Sequence, residues 1–531
     1  MRSMQASGGR GSTSLPLPAG FVQASLLWLA LIPLGGGSWT NLAAQPVPPP
    51  QVPENDPIAR FLALVAEDRQ RLPQLPSGLV PEDKPFGPIV VPAPAGQAAI
   101  SDALRDSAQD WLELAIQAGE AKHWSLAALA VRHALARDPD LAEARRLDGF
   151  VRDPETQGDP NAIWTTPERI ALRKRGYVDH PQQGWIDASW VRAVNQGFLP
   201  AVGTERAPRF VAEALADAQR AGMNPGWVVE TDFFTIQSNL PRRDIVRLGR
   251  KLDRFREALV RLMADALSPR FTLASRALDG SSTARPVGFR HEVVIFADAS
   301  SYRDHLRTRH GFDAGESLGV YLPAPLLKRR GSRGTVFLHR DPKADLDFET
   351  TLFHETTHLL LAELNGRGAP RDEGPGFWIF EAVATYFETT RVNEDGSVVF
   401  GTPETERLLV GRHRVVERGE RVPLAQLLRL DKTRFHNRDH VFLNYVHAQA
   451  LAAMLMNDAR LTPREVFLDL VKRAYSSTGP AADRGPSLFD RLGESPQQLE
   501  HRLNQFLAEH VPKVEVIRRT SPDKTNRNRS E

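Results

Sequence analysis

The chain has no cysteine, so neither disulfide bonds nor thiolate metal sites are available to it. Any metal ion would have to be held by histidine and carboxylate side chains. It also lacks an excess of either charge. Residues 1–44 contain two arginines, Arg2 and Arg10, and no acid; with these set aside, 65 basic residues face 65 acidic ones. That balance argues against a nucleic acid or another polyanion as partner. The apolar stretch Phe21 to Leu34 is too short to span a membrane comfortably.

What that stretch suits is secretion. It follows a basic start, and small residues follow it, with Ala43-Ala44 at the expected cleavage point. Residues 1–44 therefore read as a signal peptide, with an uncleaved anchor as the alternative. The mature protein is expected to be secreted or periplasmic, without a stable membrane span, or membrane-anchored if the segment is retained. At 531 residues two or three domains are expected, and 41% hydrophobic content with 25% charged residues is ordinary for a globular protein.

The chemistry concentrates in Phe353-His354-Glu355-Thr356-Thr357-His358 and, downstream, in Trp378-Ile379-Phe380-Glu381-Ala382-Val383-Ala384-Thr385-Tyr386-Phe387-Glu388. The first contains H-E-x-x-H. Residues four apart on a helix lie one above the other, so His354 and His358 can point at one metal ion. Glu355 then sits beside the open coordination position, where it can take a proton from metal-bound water. With 15 His in 531 residues, a chance H-E-x-x-H is expected on the order of a few hundredths of a time per chain. Leu352, Phe353, Leu359, Leu360 and Leu361 make the helix apolar, and Asp347 with Glu349 mark its start. The bland alternative is a buried helix whose histidines happen to lie four apart.

A hydrolytic zinc site uses three protein ligands, and Glu381 can be the third. It follows His358 with 22 residues between. Asn365-Gly366-Arg367-Gly368-Ala369-Pro370 and Gly374-Pro375-Gly376 in that interval predict a chain reversal, giving two antiparallel helices. Thr385 and Glu388 share a helix face with Glu381 and are candidates to orient the ligands, though Glu388 also fits a solvated surface position.

H-E-T-T-H followed by W-I-F-E-A-V-A-T-Y-F-E resembles the gluzincin zinc metallopeptidases, the thermolysin-like or peptidase MA-like group. Within it the chain most resembles uncharacterised secreted bacterial proteins whose peptidase-like domain follows helical repeats. The likeness covers about residues 226–475 and is sharp at the two motifs. It implies zinc held by His354, His358 and Glu381, with Glu355 as general base. Two departures stand out. Thermolysin-type enzymes carry Asp where this chain has Thr385, and no G-x-M-E-N stretch is present to grip a free amino terminus. The second absence favours an endopeptidase.

The predicted fold class is α+β. After the signal peptide, 45–98 reads as a proline-rich linker carrying a short helix at about 58–71. Residues 99–152 form a helical segment resembling one tetratricopeptide repeat: Trp111, Leu112, Leu114 and Ala115 lead to Trp124, Leu126 and Ala127 and close on Asp138-Pro139-Asp140. One unit predicts a helical hairpin packed on its neighbours, with protein docking as an alternative role. Residues 160–203 read as a small aromatic-rich module, and a helix follows at about 208–221. The catalytic domain is expected at 226–400. It should hold a strand over 227–238, an amphipathic helix over 242–267 with its arginines solvated, and strands at 291–296, 318–322 and 335–338. The sheet is expected to be mainly antiparallel, and Thr335–Leu338 is the candidate edge for pairing with an extended substrate. A helical subdomain at 401–512 and a disordered tail at 513–531 complete the chain.

Peptide hydrolysis also needs a donor for the oxyanion. The resemblance to gluzincins implies a Tyr or His well after the third ligand, which makes Tyr445, His447 and His440 candidates; Tyr445 is preferred because a phenol stays neutral, although it also fits a core position. His291, His305, His310, His413 and His436 have no ligand-like spacing and read as ordinary polar residues. Two functions follow: a zinc-dependent peptidase acting on a peptide or protein substrate, or a secreted scaffold that keeps the fold without turnover. The presence of Glu355 beside all three ligands favours the enzyme. Protein from the native host should begin near residue 45 on N-terminal sequencing; an intact Met1 on cytoplasmic material would contradict secretion.

Overall fold

A computed structural model describes residues 56–72, 86–94, 101–156, 163–204, 207–278, 288–327, 333–340, 345–365, 374–476 and 487–513. The expected signal peptide, the core of the proline-rich linker, the tail beyond 513 and most of the loop between the two motif helices lie outside these residues. The architecture is mixed, with helices predominating over several small sheets, and is compatible with α+β. No described helix is long and apolar enough to cross a membrane.

Helix Pro57–Arg71 packs on the hairpin formed by α1 (Asp102–Glu120) and α2 (Trp124–Arg137). Buried Asp68 ties the three together. Its carboxylate accepts from Ser107 Oγ at 2.6 Å, Trp111 Nε1 at 2.7 Å and Arg137 Nη2 at 2.5 Å. The hairpin docks through Asp265, whose carboxylate caps α2 by accepting from the backbone N–H groups of Trp124 and Ser125 at 2.8 and 3.0 Å. The stretch expected to be loop up to residue 98 supplies a strand, Ile89–Val91, which pairs antiparallel with Val398–Phe400. The helix expected at 208–221 is shorter than that. Phe210–Ala212 pairs with Phe198–Pro200, and only Glu213–Ala218 is helical.

The central sheet is built from β1 (Trp227–Glu230), β2 (Phe234–Ser238), β3 (His291–Phe296), β4 (Gly319–Leu322) and β5 (Thr335–His339), in the order β4-β5-β3-β2-β1. The single strand expected over 227–238 is thus a hairpin. Asp253, on helix α3 (Arg242–Leu262), holds the bend by accepting from Thr231 Oγ1, Asp232 N and Phe233 N at 2.7, 3.2 and 3.1 Å. The sheet is also not mainly antiparallel. Both pairings of β3, with β2 and with β5, are parallel, and only the outer pairs are antiparallel. Helix-length connections such as α3 between β2 and β3 let strands return in the same direction.

The apolar stripe of α3 is buried as the periodicity predicts, with Ile245, Leu252, Phe255, Leu259 and Leu262 all fully enclosed. Its arginines do not all face solvent. Arg243, Arg247 and Arg250 are exposed, but Arg242 and Arg256 are buried against Trp227 and Phe233, because a guanidinium can lie flat on a ring and leave its N–H groups for other partners.

Above the sheet run α4 (Asp345–Leu364) and α5 (Trp378–Phe387), which pack on each other. Every residue of α5 is buried, enclosed further by α6 (Val441–Met456) and α7 (Thr462–Ser476). A helix apolar on all sides belongs in a core, and this one carries Glu381 there. Phe255 of α3 meets Phe353 of α4 at 4.8 Å between ring centroids, fixing α4 over α3. Removal of Asp68 tests how firmly the first helix and the hairpin are joined. Asp68→Ala leaves the fully buried Arg137 side chain without its counter-charge and should cost about 3–5 kcal/mol. Denaturant titration should read this as a lower midpoint; a midpoint equal to wild type would contradict it.

Candidate metal centre

His354 and His358 are one helical turn apart on α4, and their Nε2 atoms approach to 3.3 Å. Glu381 enters from α5, its Oε2 lying 3.5 Å from His354 Nε2. One ligand atom from each of the three residues falls within 4.8 Å of the others, so the described residues contain a group that can hold a metal ion. Glu381 Oε2 is buried and makes no hydrogen bond. A buried carboxylate oxygen left in that state is costly unless something else binds it, and a cation between the three donors would.

The imidazole of His354 is oriented by Glu388. Its Nδ1 donates to Glu388 Oε1 at 2.8 Å, and Arg407 Nη2 donates to both oxygens of the same carboxylate at 3.0 and 3.2 Å. An ionised carboxylate only accepts, so Nδ1 carries a proton, and Nε2, which faces Glu381 and His358, is the nitrogen that would give up its proton to bind a cation. Glu388 is buried and is not the solvated residue that the sequence also allowed. Burial opposes its ionisation, but Arg407 and His354 hold its pKa below the ordinary carboxylate range. The same balance governs Glu381, where burial is overridden by His354 and His358 and the pKa is lowered. For His354, burial favours the neutral ring, yet Glu381 and Glu388 on either side push the pKa up to about 10. The cluster thus draws positive charge to the point between its carboxylates.

His358 has a looser partner, with Tyr475 Oη at 3.4 Å from its Nδ1. Thr385 does not orient a ligand. Its hydroxyl donates to the carbonyls of Glu381 and Ala382, at 2.6 and 3.1 Å, bonding back along its own helix.

Glu355 is partly exposed beside this group. Burial, and after it the Glu381 and Glu388 carboxylates, raise its pKa against the opposing pull of His354. Its Oε2 accepts from the backbone N–H of Tyr321 at 2.7 Å. Tyr321 lies on β4, the outermost strand, so the sheet edge beside the site is Gly319–Leu322. Thr335–Leu338, expected at that edge, is covered by β4 on one side and β3 on the other.

Tyr445, on α6, is brought next to Glu381, and burial together with that carboxylate keeps its pKa well above the ordinary phenol value. His436 stands behind it. Its Nδ1 donates to the Lys432 carbonyl at 2.8 Å, which leaves Nε2 to accept from the Tyr445 hydroxyl at 3.2 Å. His447 points elsewhere, bonding Leu443 O within α6, and His440 is exposed at the start of that helix. Arg407, His436, Tyr475 and Tyr321 were not among the sequence candidates. No spacing rule links them to the motifs, since their partners are between 9 and 117 positions away. Compared with protein-family models and with curated proteins, the chain matches none.

Orientation by Glu388 has a measurable consequence. Glu388→Gln keeps the shape but weakens the acceptor for His354 and the partner of Arg407, and should lower metal affinity about 10–100-fold with the fold retained. Competition with a chromophoric chelator measures this; affinity equal to wild type would contradict the role.

Proposed function

We propose that the chain is a secreted or periplasmic zinc-dependent peptidase of gluzincin type that cuts within polypeptide substrates. The observation that carries this reading is the convergence of His354, His358 and Glu381 within 4.8 Å, with Glu355 adjoining them. The spacing suits zinc. Two nitrogens each roughly 2.0–2.1 Å from a tetrahedral ion stand about 3.3 Å apart, and the two Nε2 atoms are 3.3 Å apart. Two histidines and one carboxylate, with no thiolate in the chain, are the donor set of hydrolytic rather than structural zinc. A bound zinc ion would supply Lewis acidity, polarising a carbonyl and lowering the pKa of a coordinated water toward neutrality.

The chain's own residues supply the rest. Glu355 receives the proton released as water attacks and returns it to the leaving amine; the Tyr321 N–H fixes one of its oxygens and leaves the other for the proton. The β4 edge offers backbone groups to an extended peptide, which would lie alongside Glu355. Tyr445 remains protonated, and its hydroxyl would turn from His436 Nε2 to donate to the developing oxyanion. Glu388 and Arg407 hold His354 still throughout.

Purified protein should retain one equivalent of zinc after dialysis. Glu355→Gln should keep that zinc and its fold yet slow peptide cleavage about 10²–10⁴-fold, whereas Glu381→Gln should lose metal first and activity with it. Mass spectrometry of a diverse peptide library reads the cleavage. Internal cuts by wild type are expected; a Glu355→Gln protein as fast as wild type would sink the assignment of the base, and a zinc-loaded wild type that cuts nothing would favour the scaffold reading.

A further inference from the structure

Away from the metal centre, a chamber of about 660 Å³ opens where the helical hairpin, the small aromatic-rich module and the central domain meet. Its walls carry five arginines, namely Arg256, Arg261, Arg270, Arg276 and Arg333, against the three acids Asp148, Glu168 and Glu257. Those acids already have partners. Asp148 is held between Arg132 and Arg261, at 2.9 and 2.7 Å. Glu257 lies 3.4 Å from Arg254 and 3.9 Å from Arg261. Among the described residues, Arg256, Arg270, Arg276 and Arg333 form no ion pair within 4 Å, and arginines outnumber acids in the lining.

These four guanidiniums are nonetheless fixed in place. Arg256 lies over the Phe233 ring at 3.9 Å, Arg270 over Phe271 at 4.3 Å and Arg333 over Phe289 at 3.5 Å. Stacking sets the plane of a guanidinium without using its N–H donors. Arg256 is pinned further by donating Nε–H to His291 Nε2 at 3.2 Å, and Arg276 by donating Nε–H to the Leu147 carbonyl at 2.7 Å. In both cases the terminal nitrogens remain for another acceptor. Gly149 sits against Arg276 with φ +93°, and a Cβ there would come within 3.4 Å of the Arg276 Cζ. Burial lowers the pKa of Arg256 and of Arg276 to about 10, so both are charged at neutral pH.

Arg256 and Arg276 are buried while Arg270 and Arg333 reach solvent, and gathering these like charges is unfavourable, most of all for the buried pair, unless an anion shares the space. Planar, pre-positioned guanidinium forks match the paired oxygens of carboxylate and phosphate groups, and the volume is that of a small-molecule site. We propose that this chamber binds a small organic polyanion carrying two or more phosphate or carboxylate groups, with Arg256, Arg270, Arg276 and Arg333 as its ligating side chains.

The test uses isothermal titration calorimetry on the full chain, with fructose 1,6-bisphosphate as the phosphate probe and tricarballylate as the carboxylate probe. Both are weak zinc chelators, so the metal centre stays out of the measurement. The comparison is Arg270→Gln/Arg333→Gln, because both side chains are exposed and their loss leaves the core intact. At least one probe should bind wild type at one site per chain, and the double variant should bind it roughly tenfold more weakly or worse. Without anion the double variant should melt no lower than wild type. The probe that binds tells phosphate from carboxylate. No saturable binding of either probe to wild type, or equal binding by the double variant, would overturn the proposal.

Discussion

The Glu388 carboxylate, held between Arg407 and His354, is the constraint on which the metal centre rests. Burying a carboxylate is costly unless it is paired and hydrogen-bonded, and here Arg407 and His354 do both. The arrangement settles one question of chemistry, which nitrogen of His354 carries the proton, and so directs the other nitrogen at Glu381 and His358. Once that is fixed, Nε2 of His354, Nε2 of His358 and the Glu381 carboxylate converge on one point. A protonated His354 answers the surrounding negative charge in the metal-free protein. A divalent cation would answer it better, and proton and metal would compete for the same nitrogen.

The fold exists to hold that geometry against solvent. α5 is buried on all its faces, so Glu381 within it and Glu388 at its C-cap reach the centre from a helix packed on every side. α4 is fixed over α3 through aromatic packing on one side and lies against the β4 edge on the other. Glu355 is therefore anchored by a backbone N–H of that edge strand. Side chains supported by regular elements keep their positions better than those on loops.

How much of this was legible depended on sequence distance. His354, His358 and Glu355 follow from helical spacing, and Glu381 and Glu388 from a second apolar helix with acids on one face. Thr385 shared that face yet bonds its own helix, because a threonine hydroxyl finds the preceding carbonyl nearer than any ligand. Arg407, Tyr475 and His436 were hidden, since only tertiary packing brings them in. His436 carried no local sign that it would stand behind Tyr445. The sheet was misread for a related reason: the hairpin bend at Thr231–Phe233 is held by Asp253, about twenty residues away. The parallel pairings of β3 follow from long connections, and strand composition alone does not reveal them. Arg256 looked like one arginine of a solvated helix face until Phe233 and His291 were found packed against it.

The central claim is that His354, His358 and Glu381 together bind one ion. X-ray absorption at the zinc edge on the purified full chain, compared with His358→Ala, tests it most directly. The expected spectrum has two imidazole nitrogens and oxygen donors at roughly 2.0–2.2 Å, with no sulfur, and the imidazole signal of one residue disappears in the variant. Zinc that keeps both imidazole ligands in His358→Ala, or protein in which zinc is coordinated by no imidazole at all, would contradict the account.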